Sequence, residues 1–166
     1  MSRRPNLRSI VLSAAVSAAL VLMLSPVTAS AGQLFAPAGT RTPRLAVGSD
    51  SWRLFKATNQ SRGRFDVPQL RLNRELSAIA RRHSLAMATN GELFHTANVD
   101  VYLHGIDWHI WGENVGYTPG DVEGMERAFM GSPPHRGNIL NRAFRQVAIG
   151  AVRVDGTLWV TVFFYG

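Results

Sequence analysis

There is no cysteine anywhere in the 166 residues. That absence removes disulfide frameworks, thiolate zinc sites and cysteine nucleophiles together, so any chemistry must come from histidine, carboxylate, hydroxyl or backbone groups. Internal repeats and low-complexity blocks are also missing, which excludes solenoid and collagen-like architectures. No apolar run reaches the roughly 20 residues that a membrane-spanning helix needs. What is present is 46% apolar, with 18 Lys and Arg against 11 Asp and Glu, the composition of one ordinary globular domain.

The first 31 residues read as a cleaved secretory signal and stand apart from the fold. Arg3, Arg4 and Arg8 form a basic start, Ile10 to Leu24 is an apolar run, and Ala29-Ser30-Ala31 is an A-x-A cleavage site ahead of Gly32. The Arg3-Arg4 pair also resembles a twin-arginine signal, but Asn6 stands where that signal carries an aromatic. Residues 32–48 are rich in Gly, Ala, Pro and Thr and read as a flexible connector, leaving a single folded domain over 49–166. This organisation predicts a secreted, extracellular or cell-wall-associated protein with no stable membrane span in its mature form.

Without the signal, 15 basic residues face 11 acidic ones, an unremarkable net +4. Eight basic residues fall between Arg53 and Arg82 against two acids, which reads as a solvated helix face, with one positive face toward anionic lipid or cell-wall polymer as the alternative. Phe55 and Phe65 are the only aromatics among them and no nucleic-acid motif is present, so the run does not read as a nucleic-acid interface.

Along the domain, helices come first and strands last. Asp50 to Ser61 places Trp52, Phe55 and Lys56 on one helical face. A second helix carries Leu72, Leu76, Ile79, Ala80 and Met87 and stops at Asn90-Gly91; His83 lies on its apolar stripe and reads as a hydrogen-bonded core residue. A third, Asp121 to Met130, buries Val122, Met125 and Phe129, and Ser132 is placed to cap a short fourth helix with Pro133 at its first position. Val147 to Val154 and Thr157 to Tyr165 are strands joined by the two-residue turn Asp155-Gly156, and Glu113 to Tyr117 is a further strand. A small antiparallel sheet covered by helices is an α+β sandwich.

Three polar residues stand at the ends of these elements, where rigid structure presents side chains to a cleft: His95, Glu113 and His135. His135 falls in the first turn of a helix, whose positive end disfavours the imidazolium. Two neutral imidazoles, a carboxylate and water are donors for zinc or another divalent ion, although no H-E-x-x-H spacing is present. From the residues alone, His95 capping the second helix and Glu113 satisfied by backbone N–H groups remain open alternatives. His104 and His109 read as exposed loop histidines, and Trp108 and Trp111 either line a groove or support Glu113 as buried aromatics.

The motifs Phe94-His95, Gly112-Glu113-Asn114-Val115, Ser132-Pro133-Pro134-His135-Arg136-Gly137-Asn138-Ile139-Leu140, Ala148-Ile149-Gly150 and Phe163-Phe164-Tyr165-Gly166 occur in that order, with Asn59 and Arg62 ahead of them. In this the chain resembles the CAP superfamily of cysteine-rich secretory, antigen-five and pathogenesis-related proteins, in its bacterial secreted, SCP-like branch. The resemblance implies an α-β-α sandwich and a cleft in which two histidines hold zinc or another divalent ion beside one or two acids. His95, Glu113 and His135 match three cleft positions. The fourth, an acid in eukaryotic members, falls at Ser132, and Phe129 replaces the Trp of the bacterial motif. Glu126, on the edge of the third helix's buried stripe, is a candidate to reach in and supply the missing charge.

Three functional readings follow from the resemblance and the residues. The first is a secreted binding module whose cleft holds a divalent ion, with a lipid, a cell-wall polymer or an extracellular protein as partner. The second is a metal-dependent, peptidase-like hydrolase in which an ion on His95 and His135 activates water and Glu113 is the general base. The third is a purely structural surface domain. Two histidine ligands fall short of the three usual in catalytic zinc sites, which ranks binding first.

Overall fold

The computed structural model describes residues 48–166. The expected export signal over 1–31 and nearly all of the connector over 32–48 lie outside the described residues. The elements run α1 (Ser49–Arg64), β1 (Arg71–Leu72), α2 (Arg74–Asn90), α3 (Val99–Tyr102), β2 (Trp111–Thr118), α4 (Val122–Gly131), α5 (Pro133–Leu140), β3 (Gln146–Val154) and β4 (Thr157–Tyr165). Among the described residues no helix is long and apolar enough to cross a membrane.

The hairpin β3–β4 is the centre of the fold. Asp155 and Gly156 both take positive φ, 48° and 79°, the backbone a two-residue turn with the twist of its strands requires. β2 pairs antiparallel with β4, and the sheet order is β1-β3-β4-β2. β1 is only two residues long and pairs parallel with β3, so the sheet is antiparallel except for this short edge.

β4 is buried from Leu158 to Tyr165 because helices cover both faces of the sheet. Val147, Ile149 and Ala151 of β3 pack with Leu54 of α1, Val122, Met125 and Phe129 of α4 and Ile139 of α5. On the other face, Ala148 packs with Leu76 of α2, and Val152 with Met87. The alternation of β3 side chains thus separates α1, α4 and α5 from α2, which is an α-β-α sandwich. It also divides the basic run: Arg53, Lys56 and Arg64 belong to α1, and Arg74, Arg81 and Arg82 to α2 on the opposite face. A single positive face spanning Arg53 to Arg82 is therefore not formed.

α2 owes its bounds to its caps. The Asn73 carboxamide oxygen accepts from the Leu76 N–H at 3.0 Å, and Gly91 closes the helix in the left-handed region, its N–H donating to the Met87 carbonyl. Ser132 occupies the N-cap position of α5, but its side chain makes no capping hydrogen bond. Pro at the start of α5 removes one N–H that would otherwise need a partner.

Candidate functional site

The candidate cleft is built around β2, an edge strand of the sheet. Successive residues of a strand point to opposite faces, so Glu113 meets the α2 side while Asn114 meets α5. On the α2 side, the His95 Nδ1–H donates to Glu113 Oε2 at 2.8 Å. The Thr96 N–H donates to the same oxygen at 2.9 Å, and the Thr96 hydroxyl donates to Oε1 at 2.7 Å. The Glu113 side chain is 1% exposed and that of His95 38%, so the carboxylate lies behind the imidazole.

On the α5 side, a pair of carboxamides fixes the helix to the strand. Asn138 donates from Nδ2 to the Glu113 carbonyl at 3.2 Å and to Asn114 Oδ1 at 2.8 Å. Asn114 in turn donates to the His135 carbonyl at 3.1 Å. The half-buried His135 ring lies against Phe129, centroids 5.0 Å apart. Two asparagines thereby set the position of His135 relative to Glu113. Both stand in the motifs read from the sequence, yet nothing in their spacing discloses this role.

The electrostatics follow from these contacts. Burial alone would push the Glu113 carboxyl up, but the hydrogen bonds from His95 and Thr96, with His83 nearby, outweigh it and hold the pKa below the usual value. The bond to Glu113 raises His95, against a smaller effect of burial. His135 is lowered, first by burial and then by the nearby His95, so its neutral form is favoured by its surroundings rather than by helix position alone.

His83 is more than a core residue. Its Nδ1 lies 3.1 Å from the Thr161 hydroxyl and 3.8 Å from Glu113 Oε1, its ring meets Phe94 edge-on, and its buried Nε2 has no hydrogen-bond partner among the described residues. Position on the apolar stripe of α2 hides this proximity, because the stripe reads as core whatever it faces.

Other expected members lie elsewhere. His95 does not cap α2, a role Gly91 fills. Ser132 sits half-buried at the junction of α4 and α5. His104 and His109 are exposed. Trp111 stacks on Phe163, the β4 neighbour of Glu113, at 5.5 Å, and Trp108 packs in the same cluster, both half-buried.

Glu126 does not reach the cleft. Its Oε2 accepts from the Thr58 hydroxyl of α1 at 2.9 Å, and its buried Oε1 has no partner. Burial raises its pKa, with Ser61 and Thr58 opposing only in part. A carboxyl whose folded pKa is raised contributes stability below its unfolded pKa and loses it as pH rises through the folded value. Glu126→Gln is therefore expected to raise the melting temperature by a few degrees at neutral pH, with the difference from wild type vanishing in acid. Thermal unfolding across that range checks it, and equal melting temperatures at neutral pH would refute it.

Among the described residues, no three His, Cys, Asp or Glu side chains converge to hold a metal ion. Glu113 is committed to His95 and Thr96, leaving two imidazoles as donors. That set does not meet the three-ligand requirement of a catalytic zinc centre.

Comparison with known proteins places this geometry. The model of the CAP family, described as the cysteine-rich secretory protein family, matches residues 55–164. YkwD of Bacillus subtilis, itself uncharacterized, is 27% identical over 130 residues, covering 75% of this chain and 50% of that protein. An extracellular SCP-domain protein of Bacillus anthracis shares the fold with a TM-score of 0.62 at 24% identity, over 70% of this chain and 40% of that one. An outer surface protein of Borrelia burgdorferi gives a TM-score of 0.62 at 16% identity, over 70% and 91%. The chain thus spans about half the length of its curated Bacillus relative.

Proposed function

Because the chain belongs to the CAP family of cysteine-rich secretory proteins, we propose that it is an extracellular binding module of the bacterial type, its cleft running between His95 and His135 across the edge of β2. The observation that carries this reading is the state of Glu113. Both oxygens accept hydrogen bonds from His95 and Thr96, and the side chain is almost fully enclosed. A general base needs a lone pair within reach of the proton it abstracts. Glu113 instead resembles the carboxylate that orients a histidine from behind.

With its Nδ1–H on Glu113, His95 keeps Nε2 as its remaining ring nitrogen, and His135 is favoured as neutral. A divalent ion such as zinc would use these two imidazoles and take its other ligands from water or from the bound partner. The extracellular Bacillus anthracis protein and the outer surface protein of Borrelia burgdorferi support the same location for this chain. A lipid, a cell-wall polymer or an extracellular protein is the class of partner such a location offers.

Calorimetric titration of the metal-free protein with zinc tests the cleft. Wild type is expected to bind, His95→Ala/His135→Ala to lose the signal, and Glu113→Gln to weaken binding by about tenfold through loss of the orienting carboxylate. An unchanged signal in the double variant, or none in wild type, overturns the ion site. Hydrolysis of a peptide or ester substrate that Glu113→Gln abolishes would instead reinstate the general base.

A further inference from the structure

A cavity of about 680 Å³ lies at the end of the sheet where β4 finishes, between the start of α2, the junction of β1 with β3, and the loop at Ile106 and Asp107. It shares no lining residue with the His95–Glu113–His135 cleft. Its volume falls in the range of small-molecule sites. Leu72 and Ile106, both half-buried, give it apolar wall.

Tyr165 lines the same cavity although only 3% of the residue is exposed. Its hydroxyl accepts from Asn73 Nδ2 at 2.9 Å, and among the described residues no acceptor takes the phenolic proton. A buried O–H with an unspent donor beside an open cavity is completed by an acceptor placed in that cavity.

The remaining charged lining is balanced but unpaired. Arg74 and Arg145 contribute two cations, Glu75 and Asp107 two anions, and all four are exposed. None of the four enters a salt bridge among the described residues; the Arg145 guanidinium donates there only to the backbone carbonyls of Arg142 and Phe144. An anion alone would be repelled by the two carboxylates, and a cation alone by the two guanidiniums. A molecule carrying both charges meets a partner for each.

We propose that this cavity is a second binding site, for a small zwitterion of the size of an amino acid or dipeptide with free termini. The ligand carboxylate is received by the Tyr165 hydroxyl and the guanidiniums, and its ammonium by Glu75 or Asp107.

The test is a titration of the protein with alanyl-alanine at millimolar concentration, followed by the backbone amide resonances of Glu75, Ile106 and Gln146. Saturable shifts confined to that neighbourhood are expected, and N-acetyl-alanyl-alanine amide, which carries neither charge, is expected to give none. Arg145→Gln, at an exposed position, is expected to weaken binding by about tenfold, the effect of one charge-assisted bond, with the melting temperature unchanged. Tyr165→Phe is expected to weaken it as well. Absence of shifts at those amides, or equal shifts from the capped peptide, overturns the proposal. So does unaltered affinity in Arg145→Gln together with Tyr165→Phe.

Discussion

Arg62→Met is expected to remove most of the stability of the fold, by roughly 3–5 kcal/mol, the cost of breaking a buried charged interaction from one side. Arg62 lies in the last turn of α1 with no exposed surface. Its guanidinium donates to the carbonyls of Pro68 at 2.7 Å, Ile139 at 2.7 Å, Asn141 at 2.9 Å and Phe144 at 3.3 Å. No carboxylate pairs with it among the described residues. Burial, then Arg145 and Arg142, lower its pKa to about 10, which still leaves it charged at neutral pH.

Two of those carbonyls belong to the C-terminal end of α5, where the helix presents its unpaired acceptors and the negative end of its dipole. An eight-residue helix is too short to be stable without such contacts. Methionine fills the volume but leaves the acceptors without donors, each a cost of roughly 1–3 kcal/mol. Lysine restores a charge and some of the bonds, so Arg62→Lys is expected to fall between. Urea unfolding measures all three proteins. A methionine variant within about 1 kcal/mol of wild type, below the usual cost of a single orphaned acceptor, would show that water replaces the guanidinium. Because α5 also carries His135, loss of this anchor is expected to abolish zinc binding wherever the variant still folds.

The parts of the fold that were legible in the sequence carry their own local signals. The β3–β4 hairpin is announced by Asp155-Gly156 between β-branched and aromatic runs, and α2 by its helical stripe and its stop at Gly91, although Leu72, read as part of that stripe, belongs to β1 and the Asn73 cap starts the helix after it. β1 and α3 were not legible, since two and four residues are too few to show a period. The basic run illustrates a second limit. Its charges are adjacent in sequence, but the chain crosses the sheet edge at β1 and delivers them to opposite faces.

For the cleft, the motifs singled out His95, Glu113 and His135, while the geometry is set by residues of ordinary appearance. Thr96 takes both carboxylate oxygens, Asn114 and Asn138 join β2 to α5, and His83 approaches Glu113 from within the α2 stripe. Each of these contacts spans at least 17 residues of chain, so register between elements decides them and no local pattern does. The role of Glu113 depends on the same register: a carboxylate read as a candidate base becomes an enclosed acceptor once Thr96 is beside it.

Gly150→Ala is the second substitution expected to have a large effect, for a reason independent of charge. A methyl group at Gly150 would lie 2.2 Å from the Ala80 carbonyl carbon and 2.3 Å from both its oxygen and the Arg81 nitrogen. All three are backbone atoms of α2, so no side chain can rotate away and the helix itself must move. Overpacking against mobile neighbours costs roughly 1–3 kcal/mol; here the loss is expected at or above the top of that range. Ser84, one turn beyond Ala80, donates from one hydroxyl positioned 3.2 Å from the Gly150 carbonyl and 2.9 Å from the Thr161 hydroxyl, the same hydroxyl that meets His83. Displacing α2 therefore also displaces His83 from beside Glu113. The expected result is a large fall in the urea midpoint together with shifted imidazole resonances of His83 and His95 in whatever remains folded. A Gly150→Ala protein as stable as wild type, with those resonances in place, would mean that α2 does not approach β3 as closely as the backbone contact requires. If stability falls while the resonances hold, the close packing stands but the coupling from Gly150 through Ser84 and Thr161 to the cleft does not.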